Sequence, residues 1–323
     1  MSKIIYSDYY MPSNTVSAKD ILLNSETFLS ENSSSDINEA VNKYIRDTEL
    51  SEIAVKEDGN IIDIFSVMLT KMFERIDIDT DKIKNIFYTS YKHYDYNDCV
   101  SVPYYLQEKY KLSNAAIMIL NQQCASTLQA MRIANSLNRS EKGAYSLIIS
   151  PCFLEKNEDR YMGFTVIGDG ASIMLIGDDE RSEGFKIIET FSISDGYASW
   201  YCYEKFNKSE KNKYDDMKIR LITFESIVKA ISKSVKKYEG WFNDSKFIIC
   251  QSINRKLVKE HLKNSGKVYQ NYHGGHMEDV DITRNLKDVM DSTKFQKGDK
   301  ISLIALGVDF KSFNITNVFC QYE

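Results

Sequence analysis

Residues 115–137 read AAIMILNQQCASTLQAMRIANSL and decide the fold class. The first six residues form an apolar run typical of a buried strand, NQQ is a polar turn, and CASTLQAMRIANSL has the composition of a helix. A strand that passes through a short turn into a helix is the repeating unit of a mostly parallel α/β sheet with helices outside. We therefore predict an α/β fold.

The same alternation extends on both sides of this stretch. In the first half we predict strands at residues 3–6, 84–89, 115–120, 145–150, 162–167 and 172–176, and helices at 61–76, 103–110 and 125–137. In the second half we predict strands at 186–193, 246–250, 301–306 and 317–321, and helices at 215–237, 255–264 and 282–292. Each half ends in a pair of strands, which indicates a duplicated unit with halves at 1–180 and 181–323. Residues 32–36 (NSSSD) are predicted to be a loop that caps the next helix.

Composition excludes several classes of protein. The chain has 323 residues, 43% of them hydrophobic and 27% charged, which is typical of a globular fold. A net charge of -5 leaves no basic excess for nucleic acid, and no apolar run approaches the roughly 20 residues that cross a membrane. The start MSKIIYSDYY lacks the pattern of a signal peptide.

Six cysteines are scattered at positions 99, 124, 152, 202, 250 and 320, without the spacing of a zinc site. We expect no metal and a reduced cytoplasmic protein with free thiols. Cys124 differs from the others because it lies where a strand leads into a helix. The N-terminal end of a helix stabilises an anion and can lower the pKa of a thiol, which predicts a nucleophile. The alternative is that Cys124 is a small buried apolar residue, which is our interpretation of the other five.

Two further motifs stand out. Residues 167–171 (IGDGA) lie between two predicted strands, where Asp-Gly indicates a hairpin turn rather than a phosphate site. His273 and His276 lie in NYHGGHMEDVD just before a predicted helix, where glycines allow close approach of the backbone to a ligand. A flexible surface turn is the alternative. His93 in a polar loop and His261 on a charged helix are predicted to have no such role.

Four segments in this order resemble the thiolase-fold condensing enzymes, in the branch of β-ketoacyl-acyl-carrier-protein synthase III. They are NQQCAS, IGDGAS, GHMEDVD and KGDKISLIALGV, and together they span about two-thirds of the chain. The resemblance implies a five-layer αβαβα fold of two similar halves and usually a homodimer. It also implies ping-pong catalysis, in which a cysteine accepts an acyl group from a thioester and passes it to a second substrate. No permanently bound cofactor is implied.

Residue by residue, the resemblance gives Cys124 the role of nucleophile. It gives the backbone N–H groups of Cys124 and Gly307 the role of oxyanion hole. Decarboxylating members carry a His in a HQAN-like segment and an Asn in the later glycine loop. Here the first segment is CQSIN, so Gln251 stands at the His position, or Cys250 if the alignment slips by one, and the later loop has His276. A histidine there could act as a base toward an incoming hydroxyl or amine.

His276 needs a partner on its other ring nitrogen, and Glu278, Asp279 and Asp281 are candidates. We expect Asp281 instead to cap the helix predicted at 282, and His273 remains an alternative base. No Arg-containing entrance for coenzyme A is recognisable, so the acyl donor could be a carrier-protein thioester as well as acyl-coenzyme A. A basic cluster that could meet an acidic carrier, or simply be a solvated helix face, consists of Lys208, Lys211, Lys213, Lys218 and Arg220.

The resemblance and its departures together predict a synthase III-like acyltransferase. It would transfer an acyl group from Cys124 to a hydroxyl, amine or activated carbon, in natural-product biosynthesis. One alternative is a decarboxylating 3-oxoacyl-carrier-protein synthase, and another is a catalytically silent subunit that pairs with an active paralogue.

Overall fold

Two half-sheets with the same strand order form the core. The computed structural model describes residues 2–33, 35–57, 59–90, 100–178, 183–206, 216–253, 265–308 and 312–323. The strands of the first half are β1 (Lys3–Tyr10), β2 (Thr15–Ser17), β3 (Glu52–Ala54), β4 (Ile83–Thr89), β5 (Ala116–Leu120), β6 (Tyr145–Cys152) and β7 (Gly170–Gly177). Of these, β2 and β3 form a small separate sheet. Those of the second half are β8 (Phe185–Asp195), β9 (Phe247–Cys250), β10 (Val268–Tyr269), β11 (Lys300–Val308) and β12 (Phe313–Tyr322).

The order of the large sheet is β10-β9-β11-β12-β8-β1-β7-β6-β4-β5. In the first half, β4 pairs in parallel with β5 and β6, while β7 pairs antiparallel with β6 and β1. In the second half, β9 pairs in parallel with β10 and β11, while β12 pairs antiparallel with β11 and β8. The halves meet edge to edge where Lys3 and Ile4 of β1 pair with Lys186 and Phe185 of β8. The predicted architecture of two similar halves is confirmed. The proposed boundary after residue 180 lies outside the described residues and stays a prediction.

Helices complete five layers. They are α1 (Ala18–Asn24), α2 (Glu26–Glu31), α3 (Ile37–Thr48), α4 (Ile61–Arg75), α5 (Val102–Lys109), α6 (Ser126–Ser140), α7 (Tyr197–Phe206), α8 (Asp216–Lys237), α9 (Glu239–Asp244) and α10 (Val280–Ser292). The largest buried cluster joins α6 and α10 to strands of both halves. Helices α4 and α5 pack on the first half-sheet, and α8 and α9 pack on the second. Helices α6 and α10 therefore form the central layer. Among the described residues, no helix combines the length and apolar composition that crossing a bilayer requires.

The strands and helices predicted within the described residues are present, with one exception. The predicted strand at 162–167 is wrong, and so is the hairpin at 167–171, because β6 pairs directly with β7 and residues 153–169 form the loop between them. The predicted helix at 255–264 lies outside the described residues. The loop at 32–36 is confirmed as a cap, since Asp36 Oδ1 accepts hydrogen bonds from the amides of Asn38 and Glu39 at the start of α3.

A buried ion pair holds the β6–β7 loop in place. Asp169 accepts two hydrogen bonds of 2.9 Å from the guanidinium of Arg160, and both side chains are 1% exposed. The same carboxylate accepts from the amides of Leu154 at 2.9 Å and Lys56 at 2.7 Å. Asp169 therefore connects the loop to the segment that follows β3.

Replacing Asp169 with Asn should cost about 3–5 kcal/mol of unfolding free energy, because it leaves the Arg160 charge buried without its counter-charge. Urea unfolding at pH 7 measures this loss. The matched control is Asp299→Asn, whose partner Lys246 lies 2.8 Å away at the surface, and which should cost less than about 1 kcal/mol. Equal losses in the two variants would contradict the structural role given to Asp169.

Candidate active site

Cys124 lies in a tight turn between β5 and α6. Helix α6 begins at Ser126, so Cys124 precedes it by two residues, and its side chain is half-buried. Gln123 has φ of 52°, in the left-handed region that non-glycine residues rarely adopt. The serine hydroxyl of Ser126 supports the turn, because it accepts from the amide of Gln122 at 2.8 Å and donates to the carbonyl of Gln123 at 2.6 Å. The strained turn exposes one face of Cys124.

Gly307 and Gln251 lie against this turn. A Cβ on Gly307 would come within 2.2 Å of the Gln122 carbonyl oxygen, so only glycine fits there. Gln251 donates from Nε2 to the carbonyl of Cys124 and accepts at Oε1 from the amide of Leu306 at 2.7 Å. Cys250, the alternative at this position, is buried in the core of the second half. The structure thus brings Gln251 and Gly307 to Cys124.

His276 and Asp281 form a buried pair. Nδ1 of His276 lies 2.5 Å from Oδ2 of Asp281, and the two side chains are 1% and 0% exposed. Burial acts to raise the pKa of Asp281, but the Arg284 guanidinium and His276 outweigh it and the pKa lies below its ordinary value. Asp281 is therefore a carboxylate that accepts from Nδ1 of His276, which leaves Nε2 as the ring nitrogen outside the pair. Within the described residues that buried Nε2 has no hydrogen-bond partner.

The expectation that Asp281 caps a helix at 282 is wrong. The helix, α10, already begins at Val280, and Asp281 turns back toward the preceding loop. Its carboxylate accepts from the amides of Met277 at 3.0 Å and Ser252 at 2.8 Å as well as from His276. Asp281 is the orienting partner of His276.

Arg284 is a site residue that the sequence analysis missed. Its guanidinium, fully buried, donates to Oδ1 of Asp281 at 2.8 Å and to the Ser252 hydroxyl at 2.9 Å. It also donates to the carbonyls of Asn271 and His273. The spacing of Asp281 and Arg284, three residues apart on a predicted helix, is the signal that could have indicated an ion pair.

The loop between β6 and β7 holds the backbone of His276. Its amide donates to the carbonyl of Val166 at 3.0 Å, and its carbonyl accepts from the amide of Gly168 at 2.8 Å. A Cβ on Gly168 would lie 1.9 Å from the carbonyl oxygen of Gly274, and Gly274 itself has φ of 80°. His273, the alternative base, has an exposed ring instead. The glycines therefore permit a close approach of two loops rather than a flexible surface turn.

The ionisation of Cys124 differs from expectation. Burial, and after it the charges of Glu278, Asp279 and Asp281, raise the pKa of the Cys124 thiol well above its ordinary value. The prediction that the helix end lowers this pKa is wrong, because burial outweighs the effect of the helix end. Asp279 also occupies that end, since its Oδ1 accepts from the amide of Thr127 at 3.1 Å. No local pattern indicated Asp279 as the cap of α6, because it lies 152 residues from Thr127 along the chain.

The remaining candidates contribute less. The Cys152 thiol is buried and donates to the carbonyl of Gly168 at 3.3 Å, a structural contact. A cleft of about 380 Å³ adjoins the Cys124 turn and is lined by residues 121–123, 194–196 and 312–314. Within the part of the chain that the structure describes, no three His, Cys, Asp or Glu side chains are arranged to hold a metal ion. Outside the described residues lie His93, His261, Lys208, Lys211 and Lys213, together with the side chains of Lys218 and Arg220.

Part of the chain matches a known protein family. Residues 119–196, which include the Cys124 turn and the β6–β7 loop, match the family model of 3-oxoacyl-[acyl-carrier-protein (ACP)] synthase III. No curated protein matches the chain by sequence. The structure of 3-oxoacyl-[acyl-carrier-protein] synthase III from Aquifex aeolicus VF5 matches with a TM-score of 0.72 and 17% identity, covering 100% of both chains. The chain has the thiolase-type fold of synthase III.

Two further structures share the synthase III fold with this chain. The β-ketoacyl-[acyl carrier protein] synthase III of Thermus thermophilus has a TM-score of 0.72 at 15% identity over 98% of each chain. ChlB3, described as an acyltransferase, has a TM-score of 0.71 at 14% identity over 98% of this chain and 97% of its own. The resemblance inferred from the sequence is thereby confirmed. These structures include both a synthase and an acyltransferase, so the shared fold does not distinguish the two reactions.

Gln251→Ala should lower the unfolding free energy by about 1–3 kcal/mol, because it leaves the Leu306 amide without its acceptor and frees the Cys124 carbonyl. Chemical unfolding monitored by circular dichroism measures the loss. Gln321→Ala is the control, since that amide reaches only the exposed Gly298 carbonyl, at 3.3 Å. A stability equal to wild type for Gln251→Ala would show that the amide does not hold the turn.

Proposed function

We propose that the protein is a synthase III-like acyltransferase that forms an acyl-Cys124 intermediate and passes the acyl group to a hydroxyl, amine or activated carbon. The observation that carries the proposal is the buried, unpartnered Nε2 of His276, whose ring is fixed through Nδ1 by Asp281. An imidazole oriented in this way is suited to general-base catalysis. The chemistry would serve natural-product biosynthesis.

The first half-reaction begins from a neutral thiol, because the pKa of Cys124 is raised. Nε2 of His276 takes the thiol proton as the sulfur bonds to the thioester carbon. The carbon–sulfur bond of the donor then breaks, and the donor leaves as a thiol that carries this proton. The amides of Cys124 and Gly307 would donate to the developing oxyanion.

In the second half-reaction the acceptor gives a proton to Nε2 of His276 and bonds to the acyl carbon. The bond between that carbon and the Cys124 sulfur breaks, and the sulfur recovers a proton from Nε2. Proton and acyl group are balanced over one turnover, and no metal or bound cofactor takes part in these steps. The donor would be acyl-coenzyme A or an acyl-carrier-protein thioester.

Transfer without decarboxylation is favoured by the state of Gln251. Both ends of its amide are engaged, one with the Cys124 carbonyl and the other with the Leu306 amide. One of the two N–H groups on Nε2 is therefore held by the Cys124 turn, and an amide, unlike a histidine, has no imidazolium form to stabilise the carbanion that decarboxylation creates. Release of labelled carbon dioxide from a malonyl thioester would overturn this assignment in favour of the decarboxylating synthase.

Cys124→Ala should abolish the covalent acyl adduct. His276→Ala should form it more slowly, since Nε2 takes the thiol proton in the first half-reaction and the acceptor's proton in the second. Intact-protein mass spectrometry after incubation with acyl-coenzyme A and acyl-carrier thioesters measures the adduct, with an added hydroxyl or amine acceptor for the second step. We expect His276→Ala to accumulate the adduct slowly and to reduce transfer by about 10²-fold or more.

Cys152→Ala and His273→Ala are the matched controls, because Cys152 is buried in a structural contact and the His273 ring is exposed. An adduct that persists in Cys124→Ala would refute the nucleophile. Loss of transfer in His273→Ala rather than His276→Ala would refute the base. Absence of any adduct in wild type, with tight binding to a homologous chain, would favour the silent-subunit alternative.

We also propose a homodimer formed along β5. This strand lies at one end of the large sheet, and its residues AIMIL are all exposed or half-buried, with Ile119 49% exposed. An exposed apolar edge strand is an unpaired template for another strand. A second copy is the simplest occupant, because two such edges could pair with each other about a twofold axis. A reducing compartment such as the cytoplasm suits the free thiols of Cys124, Cys152, Cys250 and Cys320.

Ile119→Lys should convert the dimer to a monomer, because a charge on an edge strand opposes pairing. Light scattering coupled to gel filtration measures the mass. Val67→Lys is the control, since Val67 is an apolar side chain 68% exposed on α4, away from the edge. A monomeric wild type, or an Ile119→Lys variant that stays dimeric, would contradict the proposed interface.

A further inference from the structure

Helix α6 has an unusual N-terminus. Its N-cap residue is Ala125, whose side chain offers no acceptor for the free amides of the first turn. The acceptor comes from another part of the fold, because Oδ1 of Asp279 accepts from the amide of Thr127 at 3.1 Å. The hydroxyl of Thr127 also donates to the main-chain carbonyl of Asp279, at 3.2 Å. Asp279 thus caps the helix that Cys124 precedes.

The two groups share one electrostatic environment. The N-terminus of a helix carries the equivalent of roughly half a positive charge and stabilises one nearby anion. Asp279 is 2% exposed and Cys124 is half-buried, so neither charge is well screened by water. A negative charge on Asp279 therefore disfavours ionisation of the Cys124 thiol, and a Cys124 thiolate disfavours ionisation of Asp279.

We propose that Asp279 is a positioning residue of the nucleophile: its carboxyl group and the Cys124 thiol compete for the one negative charge that the N-terminus of α6 stabilises. This inference rests on the function proposed above for Cys124. It adds a residue that controls when the sulfur can ionise, through the helix end and not through contact with substrate.

Other charged groups also lie near Asp279 and Cys124, but they do not remove the competition between these two groups. Glu278 and Asp281 come from the same segment, and Cys152 lies at the end of β6. The charge of Asp281 is compensated by Arg284 and His276. Asp279 is bonded directly to the first turn of α6, through the amide of Thr127.

The order of ionisation follows from burial. Burial raises the pKa of Asp279 to about 8, with Glu278 adding to the shift, and the pKa of Cys124 is also well above its ordinary value. Below about pH 8 the carboxyl group is neutral and leaves the helix end to the thiolate. Above that pH Asp279 is charged and suppresses the thiolate, as expected for two strongly coupled sites.

The test is the pH profile of alkylation at Cys124, measured from pH 6 to 10 with iodoacetamide and peptide mass spectrometry. In wild type the rate should rise with pH, flatten above about pH 8 as Asp279 ionises, and rise again at higher pH. Asp279→Asn keeps the acceptor for Thr127 but cannot ionise. Its rate should match wild type well below pH 8, rise without a plateau, and be about tenfold faster at pH 9.5.

Asp36→Asn is the control, because Asp36 also caps a helix through Oδ1 but does so on α3, away from Cys124, and its profile should coincide with that of wild type. If circular dichroism shows that Asp279→Asn does not fold, the presence or absence of the plateau in the wild-type profile alone tests the inference. A wild-type profile with one unbroken rise, or profiles of wild type and Asp279→Asn that coincide throughout, would overturn the inference. The measurement uses no acyl thioester, so a plateau in a protein that forms no acyl adduct would refute the proposed function and leave this inference standing.

Discussion

The carboxylate of Asp281 is the interaction on which the site depends. It is fully buried, and a buried charge is tolerated only where opposite charge and hydrogen bonds replace water. Arg284 supplies the charge, and the amides of Met277 and Ser252 supply further donors. Because Ser252 follows β9 and Arg284 lies on α10, this single group connects the second half-sheet to the central helix layer. Removing it would leave the buried Arg284 charge without its counter-charge and the amides of Met277 and Ser252 without their acceptor.

The orientation of His276 follows from that carboxylate. A hydrogen bond at Nδ1 fixes the tautomer, and the close approach of Gly168 to Gly274 fixes the backbone beneath the ring. The loop between β6 and β7 is therefore part of the site's support, although no side chain from it needs to touch a substrate. The Asp169–Arg160 pair anchors this loop. Two buried ion pairs, Asp281–Arg284 and Asp169–Arg160, therefore hold the imidazole of His276 in place.

The sequence was sufficient for the sheet and the layers because hydrophobic periodicity is local and each half repeats it. It was also sufficient to select Cys124, Gln251, His276 and Gly307 as candidates, through four short segments and a resemblance. It failed where the deciding contact is distant. Residues 162–167 have the composition of a strand but pair with the His276 loop instead, and Asp281 has the sequence context of a cap but binds an imidazole. Capping of α6 by Asp279 crosses 152 residues, a contact that no window of sequence contains.

The electrostatics of the nucleophile show why the site needs its base. A cysteine at an unoccupied helix end would be a thiolate at rest, held by the helix dipole, and His276 would then have to be an imidazolium partner. Burial, with the charges of neighbouring acidic groups adding to it, raises the pKa of the Cys124 thiol and disfavours that state. The resting nucleophile is thus a neutral thiol, which needs a base to take its proton. A buried site tolerates a charge separation during proton transfer more readily than a permanent thiolate, since the imidazolium is stabilised by Asp281 as it forms.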